Sequence, residues 1–241
     1  MATTYTEHLQ LPKHAPTDPF DITLINEMAD KTEAGILEAY RGRAAHNLLD
    51  NSNFRNPVNQ RGQTTYTGSA YSIDRWRAYH ATTTHTVTAS GIAVSATDNN
   101  SNIYQVLDPN VIDTDKTYTV AVCDSAGNVT VRAMKPTTTT YGPACIYISG
   151  SNILFRITSA KTWRWAALYE GEYTAETLPS YVPKGYAAEL MECQRCYHLY
   201  ATQAARPTHG LDCVPHMRIN NPTQGTIVID GVTYYYNAAD R

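Results

Sequence analysis

Apolar and polar residues alternate through the middle of the chain, residues 46–174, which is the pattern of half-buried β-strands. TVTASGIAVSAT at 86–97 and TYTVAVCD at 117–124 follow this alternation, and Ser-Ala-Gly-Asn then predicts a hairpin turn before VTVRA. A second hairpin is predicted where Gly-Ser-Asn at 150–152 separates CIYIS from ILFRIT. Short strands without a helical pattern between them predict a sandwich of two antiparallel sheets.

The first 45 residues follow a different pattern, which predicts an extended arm and a helix. Pro12, Pro16 and Pro19 punctuate the arm, and the segment DITLINEMADKTEAGILEAYRGR then has a helical pattern. Alternating spacings of four and three residues form the seam of a short coiled coil, whose positions are Ile25, Ala29, Thr32, Ile36 and Ala39. The same pattern also fits an amphipathic helix that lies on its own domain. A coil this short needs support from the following domain to hold an oligomer.

The end of the chain predicts one more helix and one more hairpin. YAAELMECQRCYHLY at 186–200 has one apolar face at helical spacing, which predicts a closing helix that packs on a sheet. In TIVIDGVTYYY, Asp-Gly between two β-rich runs predicts a two-residue turn that pairs Ile229 with Val232 and Ile227 with Tyr234. Both faces of this hairpin are apolar, so the domain or a neighbouring subunit should cover them. The candidate subunit-contact residues are Ile227, Ile229, Tyr234, Tyr235 and Tyr236.

Composition supports the β prediction and narrows the expected partners. The chain has 32 Thr and 18 Tyr but only three Trp and three Phe, and Thr and Tyr favour strands. A formal net charge of −3 offers no attraction to a phosphate backbone, so nucleic acid is not an expected partner. Apolar runs are far shorter than the roughly 20 residues of a membrane span, and no membrane insertion is expected. Five cysteines cannot form a complete disulfide framework, and MATTYTEHLQLPKH has no signal-peptide pattern.

Several segments, taken in order, resemble a known family. NLLDNSNFRNPVNQRG at 47–62 and YTGSAYSIDRW at 66–76 resemble the opening of jelly-roll, carbohydrate-binding-module-like domains in phage tail proteins. These are tail fibre and baseplate proteins from phages and prophages of Gram-positive gut bacteria. WRWAALYEGEYTAETLPSYVPKGYAAELMECQRCY at 163–197 is similar to their closing strand and helix. YTEHLQLPKHAPTDPFDITLINEMADKTEAGI at 5–36 looks like their attachment segment, and TYYYNAADR looks like their ending.

The resemblance implies a non-enzymatic structural protein of the virion, assembled in the cytoplasm of the host bacterium. The expected assembly is a homotrimer that binds other tail or baseplate proteins through its first helix and a bacterial surface glycan through its sandwich. The expected organisation is an arm and helix at 1–45, a jelly-roll sandwich with its closing helix at 46–200, and a hairpin segment at 201–241. Two alternatives remain open, a capsid-decorating head fibre that binds only virion proteins and a glycan-cleaving enzyme.

Glycan recognition calls for exposed aromatic rings, because sugars stack on them while polar neighbours bind the hydroxyls. Trp163 and Trp165 are two apart in a predicted strand and are therefore expected to share a face, either of the core or of a binding platform. Trp76 is expected in the core. Further candidates in loops or at strand edges are Tyr79, Tyr104 and Tyr141.

The sequence indicates thiol, metal and catalytic chemistry less strongly than glycan binding. Cys193 and Cys196 lie inside the predicted closing helix, where a redox or zinc role is not expected, and Cys193 is expected to be a small buried apolar residue. Residues 98–102 match only half of a calcium loop, and the aspartates at 108, 113 and 115 fit either a polar turn or a structural calcium ion. No other metal or cofactor is expected. Glu170 and Glu172, two apart, would be the acid pair of a glycosidase.

Overall fold

The computed structural model describes residues 4–5, 12–13, 22–42, 46–96, 102–158, 160–208, 217 and 222–238. The chain divides into two compact units, one of Met1–Ala45 with Glu176–Tyr181 and one of His46–Ala175 with Val182–Arg241. The fold is mainly β, and every pair of strands among the described residues is antiparallel. Within the described ranges, no helix is both long and apolar enough to cross a bilayer.

The first unit contains a two-stranded ladder and a long helix. Strand β1 (Thr4–Tyr5) pairs with β2 (Pro12–Lys13), and helix α1 spans Ile22–Gly42. An ion pair between Lys31 and Glu27, with Nζ and Oε1 2.7 Å apart, supports the helix at i,i+4 spacing. Four residues of the predicted seam are exposed in the single chain, namely Ile25, Ala29, Thr32 and Ile36, with 38% for Ile25 and 54% for Ile36. The side chain of Ala39, the fifth, lies outside the described residues.

Among the described residues, the second unit has three sheets, and two of them enclose its core. The six-stranded sheet has the order β3-β5-β6-β12-β8-β9, and the four-stranded sheet has the order β10-β11-β7-β4. The strands are β3 (Thr65–Thr67), β4 (Arg77–Ala78), β5 (Thr83–Thr88), β6 (Gly91–Ala96), β7 (Ile103–Leu107), β8 (Tyr118–Asp124), β9 (Val129–Met134), β10 (Ala144–Ser149), β11 (Asn152–Ile157) and β12 (Thr162–Glu170). One apolar core takes side chains from both sheets, an arrangement consistent with the predicted β-sandwich.

Both central hairpins predicted from the sequence are confirmed. The turn between β8 and β9 is closed by the Asp124 carboxylate, whose Oδ1 accepts hydrogen bonds from the N–H groups of Ala126 and Asn128. Gly127 supplies the positive φ of 93° that this turn requires. Between β10 and β11, Ser149 pairs with Asn152 across the turn.

The core centres on Trp76, which is fully buried as expected. Its ring meets Phe54 edge-on at a centroid distance of 4.9 Å and Phe155 at 6.1 Å, the T-shaped geometry that aromatic rings prefer. The indole Nε1 donates hydrogen bonds to the carbonyls of Asp50 and Asn51, so burying the indole leaves its polar group satisfied.

The opening motif NLLDNSNF has a structural role that explains its composition. Asn51 has a φ of 51°, a left-handed conformation that Asn tolerates. Its Nδ2 donates to the carbonyls of Val58 (2.8 Å) and Asp74 (2.7 Å), and its Oδ1 accepts from the N–H of Val58 (2.7 Å). Asn47 in turn accepts from the N–H of Leu168 in β12. Two asparagines therefore tie the irregular segment before β3 to the rest of the sandwich.

The predicted closing helix is too long. Helix α2 spans only Tyr186–Gln194, and the residues that follow form strand β13 (Tyr197–Tyr200). Pairing of β13 with the last strand of the chain overrides the helical spacing of YHLY, since the aromatic residues there also suit a strand. Cys196 is therefore buried beyond the helix end, not inside it.

The terminal hairpin forms in the predicted register. Strands β14 (Thr223–Ile229) and β15 (Val232–Ala238) pair Ile229 with Val232 and Ile227 with Tyr234. Asp230 and Gly231 both have positive φ, as a two-residue hairpin turn favours.

Within the second unit, one face of this hairpin is partly covered. Ile229 packs against Gly62, and Tyr236 packs on Tyr197 at a centroid distance of 5.3 Å. On the opposite face, Tyr235 lies near the Arg206 guanidinium, but Val228 remains 62% exposed.

Candidate functional site

A cluster of tyrosine and arginine side chains lies on the outer face of the four-stranded sheet. The pairing places Arg77 opposite Tyr104 and Tyr104 opposite Arg156, so these three form one row across β4, β7 and β11. Their neighbours along the strands are core residues, and alternation along a strand directs the row away from the core. We call the cluster the tyrosine–arginine face, with the members Arg77, Tyr79, Tyr104, Tyr147 and Arg156.

Close ring contacts hold this face together. Tyr79 and Tyr104 meet edge-on with a centroid distance of 5.8 Å and an interplanar angle of 74°. The Arg156 guanidinium lies over two other rings, with its Cζ 4.3 Å from the Tyr79 centroid and 4.6 Å from the Tyr147 centroid. The three tyrosines are half-buried, so each keeps part of its surface accessible. Because the rings support one another, little side-chain entropy remains to be lost when a ligand stacks on them.

The electrostatic field of this face is set by arginines. Burial raises the pKa of Tyr104, and the charges of Arg77 and Arg156 oppose that rise. Cys145 is paired with Arg156 and extends the same row, but it is fully buried, and burial raises the pKa of its thiol. The charged groups that act on Cys145 are Arg156 and Arg132. The face is therefore cationic, although the whole chain carries a net negative charge.

Two of the five sequence candidates meet at this face, and a third lies at its margin. Tyr79 and Tyr104 are in contact. Tyr141, 40% exposed, follows Thr140, whose Oγ1 accepts a hydrogen bond from Arg156. The ring of Tyr141 stacks with a different cation, since the Arg132 Cζ lies 5.0 Å from its centroid.

Three members of the face were not predicted from the sequence, namely Arg77, Tyr147 and Arg156. In ILFRIT, alternation along the strand places the side chains of Arg156 and Phe155 on opposite faces of the sheet. This pattern alone could have indicated that Arg156 faces away from the core. The order of strands in the sheet was needed to bring Arg156 beside Tyr79, and a local pattern does not contain that order.

The expectation that Trp163 and Trp165 share a face is wrong. A β-bulge lies between them, so Trp163 pairs with Asp124 and Trp165 pairs with Cys123. One extra residue in a strand reverses the facing of the residues after it. Trp163 is only 1% exposed and belongs to the core, so it offers no surface to a ligand. Trp165 is half-buried on the other side of the sheet.

A second polar feature is a cavity of about 670 Å³ beside α2. Asp50 pairs at its wall with Arg75, Oδ2 to Nε 3.0 Å, and lies 3.7 Å from the Lys184 ammonium. The other lining residues are aliphatic or polar, and none of the lining residues is a tyrosine or tryptophan. Nearby, burial raises the pKa of Glu189 to about 7 while its Oε1 accepts the Asn51 N–H. The cavity has charge but no tyrosine or tryptophan ring on which a sugar could stack.

The cysteine and aspartate residues considered for thiol or metal chemistry have structural roles in the core and in turns. Cys193 is fully buried, and burial raises the pKa of its thiol. Asp108 and Asp113 each accept an N–H of their own turn, from Asn110 and Asp115 respectively, both at 2.9 Å. In the described part of the chain, no group of three or more His, Cys, Asp or Glu side chains could hold a metal ion. Residues 98–101 of the half calcium loop lie outside the described residues.

The two glutamates considered as a glycosidase pair do not share a strand. Glu170 ends β12 and forms an ion pair with Lys116, Oε1 to Nζ 2.6 Å. Glu172 follows Gly171, whose φ of 104° takes the chain out of the strand. The two carboxylates therefore do not have the arrangement that a glycosidase pair on one strand would have.

Comparison with known proteins identifies no relative: no family model, no curated protein and no solved structure matches this chain.

Proposed function

We propose that the chain is an adhesin of a phage tail or baseplate, in which a jelly-roll β-sandwich binds a bacterial surface glycan. The observation that carries this proposal is the tyrosine–arginine face, where two tyrosine rings in contact remain half-exposed on an outer sheet surface. The order of family-like segments along the chain supports the virion assignment, and the two-sheet architecture is compatible with a jelly roll.

The face suits a sugar for a simple chemical reason. A pyranose ring has an apolar side of C–H groups and a rim of hydroxyls, so it needs a ring to stack on and polar groups beside it. Tyr79 and Tyr104 supply rings with hydroxyls, and Arg77 and Arg156 supply N–H donors in the adjacent positions. A small open face of this kind gives weak binding per site, because it buries little ligand surface.

Several copies on one particle would compensate for weak single sites. Once one face holds the cell wall, further contacts of the same particle become intramolecular, which raises avidity by factors of about 10²–10⁴. The exposed seam of α1, including Ile25 and Ile36, is the surface through which we propose that three chains associate. On the face of the terminal hairpin opposite Ile229, Val228, which is 62% exposed, provides a second surface for the same trimer.

A glycan array with the full-length protein tests adhesion. We expect a small set of bacterial glycans to bind, and Tyr79→Ala or Tyr104→Ala to weaken binding by about tenfold each, as truncating an interface aromatic commonly does. Tyr186→Ala is the matched control, because Tyr186 is a 49% exposed tyrosine of α2 outside the face. Unchanged binding in both face variants would show that the glycan binds elsewhere.

The virion assignment has its own test. Labelled antibody against this protein should decorate the tail tip of intact particles, and labelling of the head alone would contradict a tail role. An oligomer three times the chain mass of 26.7 kDa is the expected species in analytical ultracentrifugation at micromolar concentration. A monomer under those conditions would contradict the trimer.

A further inference from the structure

Arg156 is a buried cation with few partners. Its side chain belongs to a residue only 5% exposed. Within the described part of the chain, its guanidinium donates one hydrogen bond, from Nη1 to Thr140 Oγ1 at 3.3 Å, and its Nε is buried without a partner. A guanidinium has five N–H donors, and a buried charge is unfavourable unless it is paired and hydrogen-bonded.

The two rings beside Arg156 offset only part of the free-energy cost of burying its guanidinium. Tyr79 and Tyr147 attract the guanidinium through their ring faces at 4.3 and 4.6 Å. These contacts also fix the plane of the guanidinium. They accept no N–H in that plane, so the Arg156 Nε–H has no acceptor among the described residues.

Among the described residues, no carboxylate is paired with the charge of this face. Across residues 46–96, 102–158 and 160–208, none of Arg77, Arg132 and Arg156 forms an ion pair with an acidic side chain. The Arg132 guanidinium instead lies over Tyr141, and Arg77 donates to the Ser69 carbonyl. Three guanidinium groups thus lie on or beside a ring-lined surface, and the described part of the chain supplies no counterion for them.

We infer that the ligand of the tyrosine–arginine face is an anionic glycan, whose carboxylate or phosphate binds the Arg156 guanidinium while its sugar ring stacks on Tyr79 and Tyr104. This inference rests on the proposed glycan adhesion and adds the charge of the ligand. Carboxylates and phosphates form short, charge-assisted hydrogen bonds with guanidinium groups and match their planar arrangement of donors.

Matched small ligands test the charge directly on the full-length protein. Glucuronate is compared with glucose and glycerol 3-phosphate with glycerol, by calorimetry and by the NMR signal of the Arg156 Nε–H. We expect at least one anion to bind about tenfold or more tightly than its neutral counterpart and to shift the Arg156 signal. The anion that does so identifies the source of the charge as a uronic acid or a phosphate.

Variants test whether the preference for the anion arises at the tyrosine–arginine face. Arg156→Gln should remove the preference for the anion, and Arg55→Gln, which removes the same charge from an exposed position, should retain it. Arg77→Gln should reduce the preference and serves as the second variant if Arg156→Gln fails to fold.

The outcomes separate this inference from the proposed function. Array glycans that bind irrespective of charge, with no anion preference in the matched ligands, would overturn the anionic ligand and leave adhesion intact. Failure of every glycan and every small ligand to bind the wild-type protein would overturn both. Retention of the anion preference in folded Arg156→Gln would overturn the assignment to this face.

Discussion

Replacing Asn51 by alanine tests the physical account of the opening motif. The change removes three buried hydrogen bonds, two donated by Nδ2 and one accepted by Oδ1. At about 1 kcal/mol each, their loss removes about 3 kcal/mol of stability. Alanine is also disfavoured at the φ of 51° found here, which adds about 1–2 kcal/mol. We therefore expect Asn51→Ala to lower the free energy of unfolding by about 4 kcal/mol.

A glycine at the same position separates the two contributions. Glycine adopts positive φ without strain but supplies no side-chain partner, so Asn51→Gly should lose about 3 kcal/mol, mainly from the hydrogen bonds. The assay is urea unfolding followed by the fluorescence of the buried Trp76 and Trp163. The surface control Asn56→Ala should remain within about 0.5 kcal/mol of the wild type. A loss below about 1 kcal/mol in Asn51→Ala would refute the role assigned to this side chain.

Four further predictions concern other parts of the chain. Gly91→Ala should prevent stable folding, seen as loss of the thermal unfolding transition, because the added Cβ would lie 2.0 Å from a backbone oxygen of β12. Burial lowers the pKa of His85 to about 4, so its contribution to stability should fall as pH decreases from 6.5 toward 4. Burial raises the pKa of Glu189 to about 7, so its contribution should fall as pH increases from 4.5 toward 7. Ile36→Glu should dissociate the proposed trimer in ultracentrifugation.

Each of these has a control. Gly150→Ala also changes a glycine with positive φ, but nothing lies within 4 Å of its added Cβ, so that variant should still fold. The Glu189→Gln variant should become more stable as pH rises from 4.5 to 6.5. In this variant the opposite pH dependence due to Glu189 is removed, so the pH dependence due to His85 remains. A flat pH profile in Glu189→Gln would contradict the His85 assignment. Glu33→Gln, at an exposed position of α1, should leave the oligomer intact.

Local chemistry predicted the hairpins and their turns from the sequence. The Asp230-Gly231 turn fixes the register of its two strands, because only a few residue pairs tolerate positive φ at both positions. Alternation also located β8 to β11, but the run predicted at 86–97 is not one strand: it contains the end of β5, a turn and β6.

The failures come from interactions that are not local. Tyr197–Tyr200 has helical spacing with the residues before it, yet it pairs with β15, which lies about 35 residues further along the chain. The bulge before Trp165 depends on the pairing of β12 with β8 and has no local signal. For the same reason, the candidate site was found only in part. Tyr79 and Tyr104 were chosen by residue type, whereas Arg156 became significant only once the strand order placed it between two rings.

The most direct test of glycan adhesion is a crystal structure of the protein with an array-selected bacterial oligosaccharide. We predict a sugar ring within about 4 Å of Tyr79 or Tyr104, the distance of van der Waals contact. We also predict an anionic group of the ligand within hydrogen-bond distance of Arg156. A sugar bound instead in the cavity beside Asp50 and Lys184, with the tyrosine–arginine face empty, would contradict both predictions.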